Sequence, residues 1–208
     1  MVSLHAVIGM AVVALGMVLI PGPNMMYLVS RSVTQGRRAG LISLLGVAAG
    51  FLVYLLAAVA GIAALFSMVP VLYTTLKLAG AAYLAWLAWQ ALRPGGTSVF
   101  DPGPLPPDPP RRLFTMGLVT NLLNPKIAVL YVSVLPQFVD PGRGSVPLQS
   151  LVIGLTQIVV AVTVNGLIAV TAGSVSTFLR GRPGWLRAQR WVMGTVLGGM
   201  AVRVGVAE

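Results

Sequence analysis

Six apolar runs, each about long enough to cross a bilayer, account for most of the chain: Leu4–Val29, Leu41–Phe66, Val71–Leu92, Phe114–Val139, Leu148–Phe178 and Trp191–Val206. A spanning helix needs about 20 consecutive apolar residues. Only the last run, which is short and contains Arg203, strains that requirement. Of 208 residues, 57% are hydrophobic and 9% are charged, whereas a soluble domain carries roughly 25% charged residues. Too few polar side chains remain to cover a water-facing surface. The chain is therefore read as an all-α integral membrane protein whose outer surface faces the lipid bilayer. Cysteine is absent, which excludes disulfides and thiolate metal sites.

The charges order these runs. The net charge of +10 does not call for nucleic acid, because the basic residues border the spans as cytoplasmic loop residues do. Arg31, Arg37 and Arg38 follow the first run, Arg93, Arg111 and Arg112 the third, and Arg180, Arg182, Arg187 and Arg190 the fifth. Only Arg143 lies in the loops after the second and fourth runs. The positive-inside rule then puts both termini outside, or one of them in the cytoplasm where the first or last run does not cross. The first residues carry no Lys or Arg, which argues against a cleaved signal peptide.

Residues 94–112, "PGGTSVFDPGPLPPDPPRR", hold seven of the fifteen prolines and read as a stiff, extended cytoplasmic linker. It divides a first three-span repeat, 1–93, from a second, 113–208. A half with an odd number of spans enters the membrane in the opposite sense to its partner, which is the layout of inverted-repeat transporters.

The first run in each half is interrupted. "IPGPNMM" (20–26) places Pro21, Gly22, Pro23 and Asn24 inside the first run, and "NLLNPK" (121–126) places Asn121, Asn124, Pro125 and Lys126 inside the fourth. Proline donates no hydrogen bond. Pro21 and Pro23 therefore free the carbonyls of Met17 and Leu19, and Pro125 frees that of Asn121. A new helix begins beyond each break with unpaired N–H groups. In hydrocarbon such groups survive only against protein, water or ligand. The helix starts, with Lys126 added, attract an anion, and the freed carbonyls accept from an ammonium. A zwitterionic α-amino acid carries both groups. One proline kink is ordinarily satisfied by its neighbours; matched breaks in two halves point to a transporter site. The expected substrate contacts are Pro21, Gly22, Pro23, Asn24, Asn121, Asn124, Pro125 and Lys126, with Met17, Leu19 and Asn165 as a second tier.

At these residues the chain resembles the LysE/RhtB family of bacterial amino-acid exporters. The resemblance covers "PGPNMMYLVSRSVTQGRRAG", "GVAAG", "LKLAGAAYLAWLAWQALR", "FTMGLVTNLLNPK" and "LPQFVDP", and Ala88 departs from a glycine common in relatives. It implies a bacterial inner-membrane protein that moves amino acids or related molecules out of the cytoplasm, driven by protons or the membrane potential. The four acids, Asp101, Asp108, Asp140 and Glu208, all fall outside the spans. Relatives that handle cationic amino acids are expected to carry an aspartate near Gly50 and Phe51. Without it a cationic side chain would lack a counter-ion, so a neutral amino acid or analogue is expected. Lys126 is expected to bind substrate carboxylate when protonated and to release it when neutral.

Other polar positions read more plainly. Lys77 snorkels to an interface, and His5 is interfacial. Gln157, Thr163 and Asn165 hydrogen-bond between helices. Tyr83, Trp86 and Trp89 pack or form an interfacial belt. Gly46-x-x-x-Gly50 and Gly194-x-x-x-Gly198 permit close backbone approach; internal packing is expected, with a homodimer seam as the alternative. No cofactor or metal is expected. A lipid-modifying enzyme would need clustered carboxylates, a metal or a nucleophile–base pair, and a metal exporter would need soft ligands. A passive channel, or export of another small zwitterion, stays open as the alternative.

Overall fold

The computed structural model describes residues 2–20, 22–61 and 106–180, with isolated positions within 78–93 and 184–202. The expected third and sixth spans, Lys77, Pro21 and residues 94–105 of the linker fall outside the continuously described segments. Among the described residues every regular element is helical.

Helix α1 (Leu4–Leu19) starts at Ser3, whose Oγ accepts from Ala6 N at 3.1 Å. Its buried residues Met10, Ala14 and Val18 form one stripe, yet Ile8, Val12 and Leu19 on the outside are apolar too. An outward face of that kind suits hydrocarbon and not water. The helix stops at Ile20. Helix α2 (Pro23–Gln35) restarts with Pro23 in its first turn, bent 56° from α1. Gly36, at φ 87°, turns the chain directly into α3 (Arg37–Val59). Only glycine takes that left-handed backbone readily. Arg31 therefore lies inside α2 while Arg37 and Arg38 open α3, and the loop expected between them contracts to one glycine.

Helix α4 (Pro110–Leu122) begins within the expected linker, so Pro110, Arg111 and Arg112 are helical. Its prolines sit where a missing N–H costs nothing. After a second break, α5 (Pro125–Val129) runs into a π turn (Leu130–Val134) and a 3-10 turn (Leu135–Phe138), with a bend of 51° between the two parts. A 3-10 turn at Pro141–Arg143 leads to α6 (Val146–Arg180), an unbroken 35-residue helix. Helices α3 and α6 are long and apolar enough to cross a membrane, and each bent pair adds a further candidate, giving up to four spans among the described residues. The protein is a multi-pass membrane protein.

The two bent spans run antiparallel. A Cβ on Gly9, near the start of α1, would lie 2.7 Å from the Phe138 ring. At the far end Tyr27 OH donates to Leu113 O at 2.8 Å, and Gln35 Nε2 donates to Pro106 O at 3.2 Å. Helix α3 lies parallel to α4 along a seam of small residues. A side chain at Gly46 would strike the Phe114 carbonyl, one at Gly117 the Ser43 carbonyl, and one at Gly50 the Asn121 amide. The expected internal role of Gly46-x-x-x-Gly50 is what the packing shows. Gly194 likewise faces Leu92 within the chain.

At the end shared by α2 and α4, Asp108 gathers three helical side chains. Its carboxylate accepts from Arg31 at 2.6 Å, Gln35 at 3.0 Å and Arg112 at 3.2 Å, and its N–H donates to Gln35 Oε1 at 2.8 Å. Only 5% of this carboxylate is exposed. The hydrogen bond from Gln35, helped by the Arg31 and Arg112 cations, holds its carboxyl below the usual carboxylate range. An acid depressed in the folded state stabilises it above its unfolded pKa, and that contribution is lost as pH falls through the folded value.

Two outcomes follow from this packing. Gly46→Ala lowers the stability of the detergent-solubilised protein by about 1–3 kcal/mol through overpacking, whereas Gly16→Ala, with nothing within 4 Å of the new Cβ, does not; thermal melts compare them. Acid titration from neutral pH to about 3 destabilises the wild type below about pH 4 by an increment that Asp108→Asn lacks, and parallel curves would contradict the clamp.

Candidate functional site

The first break leaves carbonyls with no donor in their own helix. Lys126, from the second break, supplies one. Its Nζ donates to Met17 O at 2.8 Å and Ile20 O at 2.9 Å. These carbonyls end α1, where the helix macrodipole places roughly half a negative charge. The lysine is rooted at the opposite pole, as the second residue of α5, so its long side chain carries the charge away from an unfavourable helix start. Asn124 fixes that root by accepting from Lys126 N at 3.1 Å. Gly22 clears the path: a Cβ there would stand 3.1 Å from Nζ and 3.4 Å from Cε. Its φ of −163° is ordinary extended backbone, so space is what glycine provides at this position.

Beside the ammonium lies a cavity of about 20 Å³, room for about one water. Asn24, Lys126, Gln157 and Asn165 supply its polar lining, and Ala14, Phe51, Ile127 and Leu130 much of its apolar wall. Lys126 is the one ionisable side chain among the lining residues. An ammonium has three donors, and the third finds no protein acceptor among the described residues. Asn24 Oδ1, both amide atoms of Asn121 and Asn124 Nδ2 are buried and find no partner among the described residues. So many unpaired polar atoms in one interior call for water or a ligand.

Most of the residues singled out in the sequence converge here. Met17, Asn24, Lys126 and Asn165 line the cavity, while Gly22 and Asn124 position Lys126. Pro23 and Pro125 open α2 and α5. Asn121 lies instead on the α3–α4 seam against Gly50. Leu19 turns outward, 57% exposed, and the second carbonyl engaged is that of Ile20. The expected likeness of the two breaks also fails. The Asn121 carbonyl accepts from Asn124 N at 3.0 Å, so its own turn satisfies it, and Tyr54 OH donates to Leu122 O at 2.7 Å. Carbonyls left bare at the first break are answered from across the protein; at the second they are answered locally and by α3. The acceptor pole that the sequence led us to expect for a substrate ammonium is filled by the protein's own lysine.

Tyr54 and Tyr131 join the site without any motif in the sequence to mark them. Tyr131, on the π turn, donates to Gln157 Oε1 at 2.8 Å and stacks on Tyr54 with ring centroids 5.5 Å apart. This bond orients Gln157, a cavity residue expected only to link helices. A tyrosine buried mid-span needs a partner for its hydroxyl, which was the signal available. Trp86 and Trp89 are 52% and 67% exposed, in keeping with an outer belt. Among the described residues no group of His, Asp or Glu could hold a metal ion.

Comparison with known proteins gives the site its setting. The leucine efflux protein of Klebsiella pneumoniae is 26% identical over 94% of this chain and 92% of its own length. The homoserine/homoserine lactone efflux protein of Salmonella typhimurium is 32% identical over 77% of each. A leucine efflux protein of Enterobacter is 26% identical over 90% of this chain and 89% of its own. No solved structure matches. The family model described as LysE type translocator matches residues 15–208, and the chain accordingly belongs to the LysE-type translocators, a family of transporters and not of enzymes.

Proposed function

We propose that this protein is a secondary carrier that exports a small neutral amino acid from the cytoplasm across the bacterial inner membrane. The observation that carries the reading is the pair of bent spans, antiparallel and touching at their breaks through Lys126, beside a cavity with polar and apolar walls. The proposed architecture is six spans in two inverted repeats, 1–93 and 113–208, joined by the cytoplasmic linker. Each half opens with a broken span followed by a continuous one, and the two broken spans have opposite sense, which supports that layout. The arginines at the α2–α4 end mark the cytoplasmic side.

Neutral specificity rests on the wall. Phe51 and Leu130 are buried and apolar, and no carboxylate lines the cavity to neutralise a cationic side chain. The leucine and homoserine efflux relatives agree with an aliphatic or hydroxylated substrate. Coupling to protons or to the membrane potential acts through Lys126, the charged group that faces substrate. A cavity only about the size of one water favours alternating access over an open pore.

Overexpression in a host challenged with toxic analogues tests the reading. Resistance to analogues of leucine or homoserine is expected, together with accumulation of the amino acid in the medium, saturable flux and stimulation by substrate on the far side. Lys126→Gln is expected to lose at least about tenfold in rate, the loss of a charged hydrogen-bond partner. Resistance confined to cationic analogues overturns neutral specificity, and flux that neither saturates nor shows trans-stimulation favours a channel.

A further inference from the structure

The lysine at the break does more than close a gap. We propose that Lys126 is a built-in stand-in for the ammonium of the substrate. Its Nζ occupies the Met17 and Ile20 carbonyls while the site is empty, and an arriving zwitterion inserts between them. The substrate's own ammonium then takes the two carbonyls, and its carboxylate takes Lys126. This inference rests on the exporter reading and adds to it the mode of recognition.

Several observations lead there. Position 21 is proline, so Met17 O has no intrahelical donor by sequence alone, and the helix has ended before Asn24 could serve Ile20. Two carbonyls at 2.8 and 2.9 Å from one ammonium form a cation site, and the –NH3+ of an α-amino acid is chemically the same group. Nζ already holds both carbonyls and a second ammonium beside it would meet a like charge at close range, so the two cations exclude each other. No Asp or Glu touches Lys126 among the described residues, which means that its charge has no formal partner until a carboxylate arrives. A ligand that brings only an ammonium would displace the lysine and strand it, a costly state for a buried charge. A ligand that brings both groups re-pairs everything it disturbs. The site thereby selects free amino acids over simple amines through Lys126 alone.

Removing the stand-in therefore creates a binding site. Isoamylamine and 3-aminopropan-1-ol, the decarboxylated counterparts of leucine and homoserine, are titrated calorimetrically into the purified full-length protein. The wild type binds leucine or homoserine and excludes the amines. Lys126→Met and Lys126→Gln, each checked for a monodisperse elution profile, bind the amines at least about tenfold more tightly than the wild type does, the worth of a charged hydrogen bond. Lys126→Arg, which keeps a cation on the carbonyls, continues to exclude them. Gly22→Ala, which crowds the lysine tip without removing it, shifts amine binding in the same direction by less. Folded Lys126 variants that bind amines no better than the wild type overturn the proposal. A wild type that binds no neutral amino acid sinks the exporter reading instead, and the amine comparison is read independently of it.

Discussion

An ammonium shared between two carbonyls that the first break leaves without a helical donor ties the two bent spans of this protein together. Lys126 spans more than a hundred residues of sequence to reach Met17 and Ile20. Without that bond the end of α1 would present bare acceptors to a low-dielectric interior, where each costs several kcal/mol. The lysine would be equally exposed, as a buried cation with no partner. Each group makes the other tolerable. The antiparallel crossing of the spans, the narrow cavity and the glycine at position 22 all follow from bringing this side chain to that helix end.

The rest of the fold holds the crossing in place from both sides. Toward one end, Phe138 fills the space over Gly9. Toward the other, Tyr27, Gln35 and Arg31 of α2 are bound to the start of α4 and to Asp108 just ahead of it. Small residues let α3 lie backbone to backbone on α4, and α6 backs the bundle. In lipid there is little hydrophobic gain in bringing helices together, so van der Waals contact and a few hydrogen bonds carry the association. The proposed alternating access requires one end to loosen at a time. The polar knot around Asp108 and the aromatic contact at Gly9 differ in chemistry, so the two ends can respond to different conditions.

The second break shows how a similar sequence motif serves a different purpose. There the chain closes its own turn through Asn124 and takes a hydroxyl from Tyr54. Tyr54 stacks on Tyr131, and Tyr131 holds Gln157 at the cavity. The π turn that carries Tyr131 widens the helix by one residue per turn, a feature common near functional positions. The first break thus acts as acceptor and the second as donor, and that inequality suits a ligand with a positive and a negative end.

Much of this was legible without coordinates. Apolar runs of bilayer length and scarce charge establish a helical membrane protein, because burial in lipid is a property of composition. The breaks are equally local: a proline lacks its N–H wherever it stands, so Pro23 and Pro125 predict interrupted helices, and the freed Met17 carbonyl could be named outright. The Gly46–Gly50 spacing pointed to a close seam for the same reason. What met those freed groups was decided only by tertiary packing. Whether a carbonyl is answered by its own turn, by Tyr54 or by a lysine from the other half depends on which helices cross and at what depth. The outward turn of Leu19, the placement of Asn121 on the seam, the recruitment of Tyr131 and Gln157, and the capture of the Met17 and Ile20 carbonyls by Lys126 all belong to that crossing. Sequence determines which polar groups are left over; distances of a few ångströms, set by helices far apart in the chain, determine which of them meet.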